Sequence, residues 1–564
     1  MSSQSPERAR QTSLSSPMGT LLLALFALQI TAGTVRATGL PAGGADALRL
    51  GERIYREGIL PSGEPVRAIV QGDIPVDGRA FTCVSCHLRS GLGSVEGRVF
   101  TPPTDGRSLS RPFPRYYNGV AVIAEPPQRP AYTDEMLGLA LRGGIDPNGR
   151  ALNLVMPRYL LDDHDLSLLV GYLRTLSAAG SPGVDATTIH FATVVADDAD
   201  PAVVESMLGQ LERYVAVKNR NGTFYLSDRR GTGMAASVAT TRGVVPMRLA
   251  LARWPVHGPR DGWRAQLEEH YRRGPVFALL GGVSAGDWRP VHEFCETNRI
   301  PAIFPLTPLP VISETDWYTL YISKGYQQEG EAAAWYLAGA GPAGAAPVHV
   351  LRDTPAGHAL ADGFDRAWVE RGHEPPARVV VGGGENLTGE RLRELLQRHA
   401  TALLLWTGPG SIPALRELAA AAGRPAAVLL SASDLGDALW SLPDEARPFT
   451  FVAYPWRLPQ DERRSGLAKL SRSETGVVSP EEHAAVLALT ITEILTQALM
   501  NWRGAYVRER LLELIGNLPD QTPLSYERVS LGPDQRYASK GCYIVQLSAG
   551  PRPGLVRRSD WVAH

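Results

Sequence analysis

Residues 276–305 read VFALLGGVSAGDWRPVHEFCETNRIPAIFP. The short apolar run VFALLGG predicts a strand, and the longer amphipathic run DWRPVHEFCETNR predicts a helix. IPAIFP is the next short apolar run and predicts a second strand. A strand, a helix and a strand in so few residues are the repeating unit of a parallel sheet with helices laid over it.

The alternation continues on both sides. Upstream lie IHFATVVA (189–196, strand), PAVVESMLGQLERYVAVKN (201–219, helix), VVPMRLALA (244–252, strand) and GWRAQLEEHYRR (262–273, helix). Downstream lie VHVLRD, the helix through ADGFDRAWVERG, ARVVVGG, GERLRELLQRHA, TALLLWTG, SIPALRELAAAAG and PAAVLLSAS, residues 348–433. The whole series is too long for one such sheet, so two similar lobes are expected, the second starting near Pro347. A long helical stretch, 479–504, and a short strand, GCYIVQL (541–547), close the region. VGGGE is not followed by a GxGxxG helix, so no nucleotide site is read there.

The chain has 564 residues, enough for two or three domains. Apolar residues make up 44% and charged residues 20%, the balance of a globular protein. Net charge is −1, with no Lys/Arg-rich run, which excludes a basic field for nucleic acid. Residues 1–37 predict a signal peptide: Arg8 and Arg10, then the apolar core TLLLALFALQI, then VRA ending at Ala37. The rival is an uncleaved anchor, but the apolar run is shorter than the roughly 20 residues a spanning helix needs. No later segment reads as long and apolar enough to span. The expected location is the periplasm, with no membrane span in the mature chain.

Between the signal and the alternating region lies FTCVSCHLRSG, 81–91, with Cys83, Cys86 and His87. Zinc needs four ligands, and the remaining cysteines, Cys295 and Cys542, are far away. A redox dithiol expects a β-α-β unit, which these loops do not supply. The third reading is haem c, one group held covalently. The two thiols add across its vinyl groups, and the adjacent imidazole binds iron from one face. Met156, in NLVMPRYLLDD, is the expected second axial ligand, with Met136 and His164 as rivals.

The region opens with a helical pattern in ALRLGERIYREG and closes with another in DDHDLSLLVGYLRTLSAAG. Its Gly-, Pro- and Arg-rich middle implies loops rather than sheet. GERIYREG, FTCVSCHLRSG, the Met-Pro loop and the GYLRTL helix together resemble a class I c-type cytochrome over about residues 45–178. The resemblance implies a small all-α domain with crossing terminal helices around one haem. An Arg/Pro-rich excursion, roughly Arg98 to Pro130, departs from it.

The alternating region resembles type I periplasmic binding proteins, including branched-chain amino-acid receptors, over about residues 186–550. This resemblance implies two α/β lobes that close over a ligand. The fold expected is therefore multidomain: an all-α cytochrome c domain, then a two-lobed α/β periplasmic binding protein-like (type I) domain.

Ligands of such sheets sit at the carboxyl ends of strands, here GGVSAG, FPLTP and LSASD. Ser284 could bind a carboxylate with its hydroxyl, aided by backbone N–H groups at the next helix start. Thr307 holds the matching place on the next strand, and Ser433 and Asp434 could reach in from the second lobe. Each has helix capping as its plain alternative. The segment DTPAGH stands where the family often has an aromatic over the ligand.

Cys295 and Cys542 could form a disulfide in an oxidising compartment, or lie as separately buried thiols. The leading functional expectation is a periplasmic electron-transfer protein with a redox partner protein and a small-molecule ligand of amino-acid type. The alternative is a solute receptor of an uptake or sensing system with an accessory haem domain. No Ser-His-Asp or paired-carboxylate pattern supports hydrolysis.

Overall fold

The stretch 276–305 folds as strand Ala278–Leu280, helix Arg289–Asn298 and strand Ala302–Ile303, with Leu279 beside Ala302 in parallel register. The computed structural model describes residues 42–564 except 97–98, 115–127, 221–246, 343, 383, 398–399, 422, 459–478, 503–504, 524, 533–534 and 564. The expected signal, 1–37, lies outside the described residues. The chain forms two compact units that meet at Asp46/Ala47, and the elements of the second, Ala47–His564, are as follows.

The first sheet runs Thr319–Leu320, Ala302–Ile303, Ala278–Leu280, Thr188–Ala196, Arg248–Val256, all parallel. The last of these begins four residues into the expected run VVPMRLALA and extends four residues past its end. Both faces are covered, as a parallel sheet requires. Along Thr188–Ala196, Phe191 and Val195 face one core, with Met207 and Leu208 of helix Pro201–Arg220. Ala192, Val194 and Ala196 face another, with Trp254, Phe294 and Cys295.

The second sheet begins at Pro347, as expected. Its parallel strands run Arg378–Val381, Pro347–Arg352, Ala402–Trp406, Ala427–Ser431, Thr450–Tyr454, and Gly541–Leu547 then joins antiparallel.

Helix Pro480–Met500 corrects one expectation. By length and composition it is long and apolar enough to cross a membrane, against the expectation that no segment after the signal is. Its apolar side chains are used inside the fold: Leu487, Ile491 and Leu495 are buried in the first lobe's core with Met207 and Leu208. A capping box, Ser479 with Glu482, fixes its start.

A further core lies wholly between Ile54 and Leu176. Helices Ala42–Glu57 and Asp163–Thr175 cross there at Gly51. A Cβ on Gly51 would lie 2.2 Å from the Leu168 carbonyl oxygen and 2.7 Å from the Tyr172 Cβ, so only glycine admits this approach. The region is not all-α. Ile74–Asp77, Arg67–Val70 and Arg158–Tyr159 form a three-stranded antiparallel sheet, and two short antiparallel strand pairs accompany it. Val66, Ala68 and Val70 alternate inward at the period of a strand. Four residues are too few to stand out against the Gly/Pro-rich composition around them.

Candidate functional site

In the first lobe, Ser284 stands just past strand Ala278–Leu280, and its hydroxyl already has partners. It bonds the Asp198 Oδ2 at 3.3 Å and accepts from the Gly286 N–H at 3.2 Å. The Ala285 N–H donates to Asp198 Oδ1 at 3.2 Å. The Arg260 guanidinium pairs with the same carboxylate and reaches the Ser284 Oγ at 3.4 Å. Arg260 is steadied by a bond from its Nε to the Asp287 carbonyl, 3.0 Å, and lies over the Trp263 ring. Thr307 donates to the Gly286 carbonyl at 2.7 Å, so it braces the Ser284 turn. The structure thus brings Ser284 and Thr307 together, around an acid and a base the sequence reading had not selected.

In the second lobe, Glu329 of helix Tyr326–Gly339 is the central group. It accepts from the Ser431 hydroxyl at 2.7 Å and the Ser433 N–H at 3.2 Å. Burial pushes its pKa up to about 7, against the pull of those two serines. Asp434 accepts from the Gly408 N–H at 2.8 Å, and burial raises its pKa as well. Ser433 and Asp434 therefore gather around Glu329 and Gly408. Among the described residues no hydrogen bond joins this group to Ser284 or Thr307. Trp456 packs against the cores of both lobes.

The Cys–His motif forms a five-residue helix, Cys83–His87. Cys83 is buried in the core and Cys86 is exposed. Burial pushes the Cys83 thiol up to about 11 and the His87 imidazole down to about 4. His87 is therefore neutral near pH 7. Its Nδ1 lies 2.9 Å from the Pro102 carbonyl oxygen. A carbonyl only accepts, so Nδ1 carries the proton and Nε2 keeps a lone pair. That arrangement, with a backbone carbonyl orienting the ring from behind, is how a protein prepares an imidazole for iron. Leu88, the next residue, has φ +65°, a strained value for a branched side chain, and the Tyr55 hydroxyl holds its carbonyl at 2.7 Å.

Met156 packs against the same core as Cys83; Met136 is not among the residues packed there, and His164 is exposed at a helix start. Nine of the thirteen exposed large apolar side chains among the described residues lie between Ile74 and Leu160. By its chemistry, the donor set Cys83, Cys86 and His87 fits a covalently held macrocycle. A cavity of about 520 Å³, lined by residues such as Leu60, Val66 and Leu160, includes none of Cys83, Cys86, His87 or Met156. Among the described residues no three or more His, Cys, Asp or Glu side chains gather as a metal site.

The motif is tied to the lobes. The Ser90 N–H and hydroxyl both donate to the Glu513 carboxylate, at 2.7 Å each. Burial pushes Glu513 up to about 7. Arg89 lies over the Trp317 ring, and Arg299 bonds Glu52 at 2.9 Å.

Cys295 and Cys542 are free and buried, and they do not approach as a disulfide. Cys295 belongs to the core of the first lobe, and Cys542 to a small cluster with Ala332 and Ile544 on the second sheet. Each fills apolar space where a disulfide partner is absent.

Asp198, Arg260, Glu329 and Glu513 are the residues the sequence reading missed. The strand-end rule, applied to the first strand as well, leads directly to Asp198 in the run ADDAD. Nothing in the sequence marks Glu513, whose partner is 423 positions away.

A family model described as periplasmic binding protein matches residues 257–551, more than half of the chain. The chain belongs to that family, which implies an extracytoplasmic location. This chain is similar to, among others, three solved structures. One is a branched-chain amino acid ABC transporter protein from Thermus thermophilus with bound valine, at 14% identity and TM-score 0.44, covering 68% of this chain and 98% of that one. Another is a fatty acid ABC transporter substrate-binding protein from Thermomonospora curvata, at 17% identity and TM-score 0.41, covering 68% and 95%. The third is an ABC transporter substrate-binding protein from Sphaerobacter thermophilus, at 15% identity and TM-score 0.44, covering 67% and 98%. No curated protein matches the chain.

Proposed function

We propose that the chain is an extracytoplasmic solute receptor of an uptake or sensing system, with an N-terminal region that carries haem. The observation behind the receptor reading is the pair of polar clusters at the carboxyl edges of the two parallel sheets. Asp198, Arg260 and Ser284 form one, and Glu329, Ser433 and Asp434 form the other. Two α/β lobes of this family are expected to bind by closing over a small molecule. A ligand of amino-acid size and polarity is the class implied. The test is a thermal-shift screen of the full-length exported protein against amino acids, amides, amines and polyols. A true ligand at 100 times its Kd should add about 2.7 kcal/mol of stability. No shift from any of them contradicts the reading.

The haem part rests on the His87–Pro102 bond, which leaves Nε2 prepared for a metal. Cys83 and Cys86 would hold the macrocycle, and His87 and Met156 its iron. Bound there, haem supplies one-electron ferric/ferrous chemistry, so a redox partner protein is part of this reading. The chain's own contribution is orientation and exclusion of water. Pro102 fixes the imidazole, Leu88 and Tyr55 hold the turn after it, and the buried core keeps Cys83 dry. Pyridine haemochrome analysis of exported protein is the test, and colourless, fully exported material contradicts it.

A further inference from the structure

The oxyanion seat of the first lobe has an occupant of its own. The Ser284 hydroxyl and the Ala285 N–H are the groups that would greet a ligand carboxylate past a strand end. Both are engaged by Asp198, one on each carboxylate oxygen, at 3.3 and 3.2 Å. The neutralising cation is present too, because Arg260 pairs with the same carboxylate. The local backbone is shaped for that guanidinium. A Cβ on Gly286 would lie 2.4 Å from the Arg260 Nη2, so any other residue there would push the guanidinium out of this position. Thr307 then locks the turn through the Gly286 carbonyl. An incoming carboxylate would have to expel Asp198 and would meet its charge at close range.

The surrounding strand ends repeat the sign. Asp197 follows strand Thr188–Ala196, Asp353 follows Pro347–Arg352, and Asp434 lies just past Ala427–Ser431. Against them, Arg352 spends one guanidinium nitrogen on the Gly382 and Glu385 carbonyls, at 2.9 and 3.1 Å.

We propose that Asp198 is a specificity-determining residue: its carboxylate fills the seat at Ser284–Ala285, so the cleft takes a small amide or amine and rejects molecules with a free carboxylate. This deepens the receptor reading and rests on it for the word ligand. The claim about the seat stands apart and is tested with simple anions.

The experiment compares full-length wild type with Asp198→Gly and Asp198→Asn, using acetate, L-leucine and L-leucinamide as calorimetric probes, with circular dichroism for folding. Removing the internal carboxylate leaves Arg260, the Ser284 hydroxyl and the Ala285 N–H without their anionic partner. Acetate should then bind the glycine variant at least roughly tenfold tighter than wild type. The asparagine variant, which keeps the side-chain volume, should gain less. Adding Arg260→Gln to Asp198→Gly should cancel the gain. A folded glycine variant without that gain overturns the proposal, as does tight binding of L-leucine by wild type. The latter result would leave the receptor reading standing. Conversely, an acetate gain in the variant upholds the seat even where no organic probe binds wild type, and the receptor reading alone then fails. If the glycine variant does not fold, the asparagine variant decides, and no gain there overturns the proposal.

Discussion

The Cys83–His87 segment and the Ser284 turn were both read from short motifs, and folding treats them differently. At the first, two thiols and an imidazole sit within five residues, and their relation is set by one turn of helix. The structure adds only an orienting partner, Pro102, fifteen positions on. At the second, the hydroxyl is where the strand-end rule puts it, but its use is decided by Asp198, 86 positions away. A motif whose parts are local keeps its geometry through folding. A lone side chain at a strand end has its chemistry assigned by whatever the topology brings beside it.

The largest effect that separates the two regions is loss of pigment. Cys83→Ala with Cys86→Ala should remove all covalently bound haem, read as the absence of a haem stain after denaturing electrophoresis. The same double variant should keep the ligand response of the lobes. Loss of both together would mean that the regions are not separable in this way.

Next is the helix crossing. Gly51→Leu puts a side chain into the Leu168 backbone and the Tyr172 Cβ, and should cost about 3 kcal/mol or more. Calorimetry should show the loss in a transition that carries the haem signal. An unchanged transition would place the Ile54–Leu176 core outside the fold of that region.

The pH response sharpens the comparison at the junction. Glu513 and Glu329 are both raised to about 7 from an ordinary 4.5 by burial. Folded protein therefore holds protons on them that unfolded chain releases. The stabilisation is complete below about pH 4.5 and is lost as pH rises through about 7. The melting temperature should fall from pH 5 to pH 8, by an amount worth on the order of 1–3 kcal/mol per carboxyl. Glu513→Gln should flatten the profile, because a neutral amide can still accept from Ser90. An equally steep profile in that variant would mean Glu513 is hydrated.

The smallest effect is at the brace of the turn. Thr307→Val removes the hydrogen bond to the Gly286 carbonyl and the one accepted from the Leu309 N–H, and should cost about 1–2 kcal/mol. Ligand affinity should weaken with it, as the Ser284 turn loses its support. A stability loss with unchanged affinity would make Thr307 a structural group only.

Much of the fold was legible because periodicity is a local property. The parallel alternation, the start of the second lobe at Pro347 and the closing strand Gly541–Leu547 all follow from runs of five to twenty residues. Three features were not. The strands at Arg67–Val70 and Ile74–Asp77 are only four residues each, too short to outweigh the glycine and proline nearby. Helix Pro480–Met500 reads as a helix, but which core it fills depends on Met207 and Leu208, far upstream. Cys295 and Cys542 read as a pair by count, while their separate cores are a matter of topology. The site divides the same way. Ser284 was legible as a strand-end hydroxyl and Asp198 by the same rule at the end of the first strand, while Arg260, beyond the next strand, was not.

The receptor claim is tested most directly by following tryptophan emission of the full-length protein as small amides and amines are titrated in, with Trp456→Phe as the control. Trp456 touches both cores, so closure of the lobes must change its surroundings. The result expected is a saturable change with at least one such probe, reduced in the Trp456→Phe protein and retained without haem. A flat trace across the whole panel, with no calorimetric heat, would contradict it.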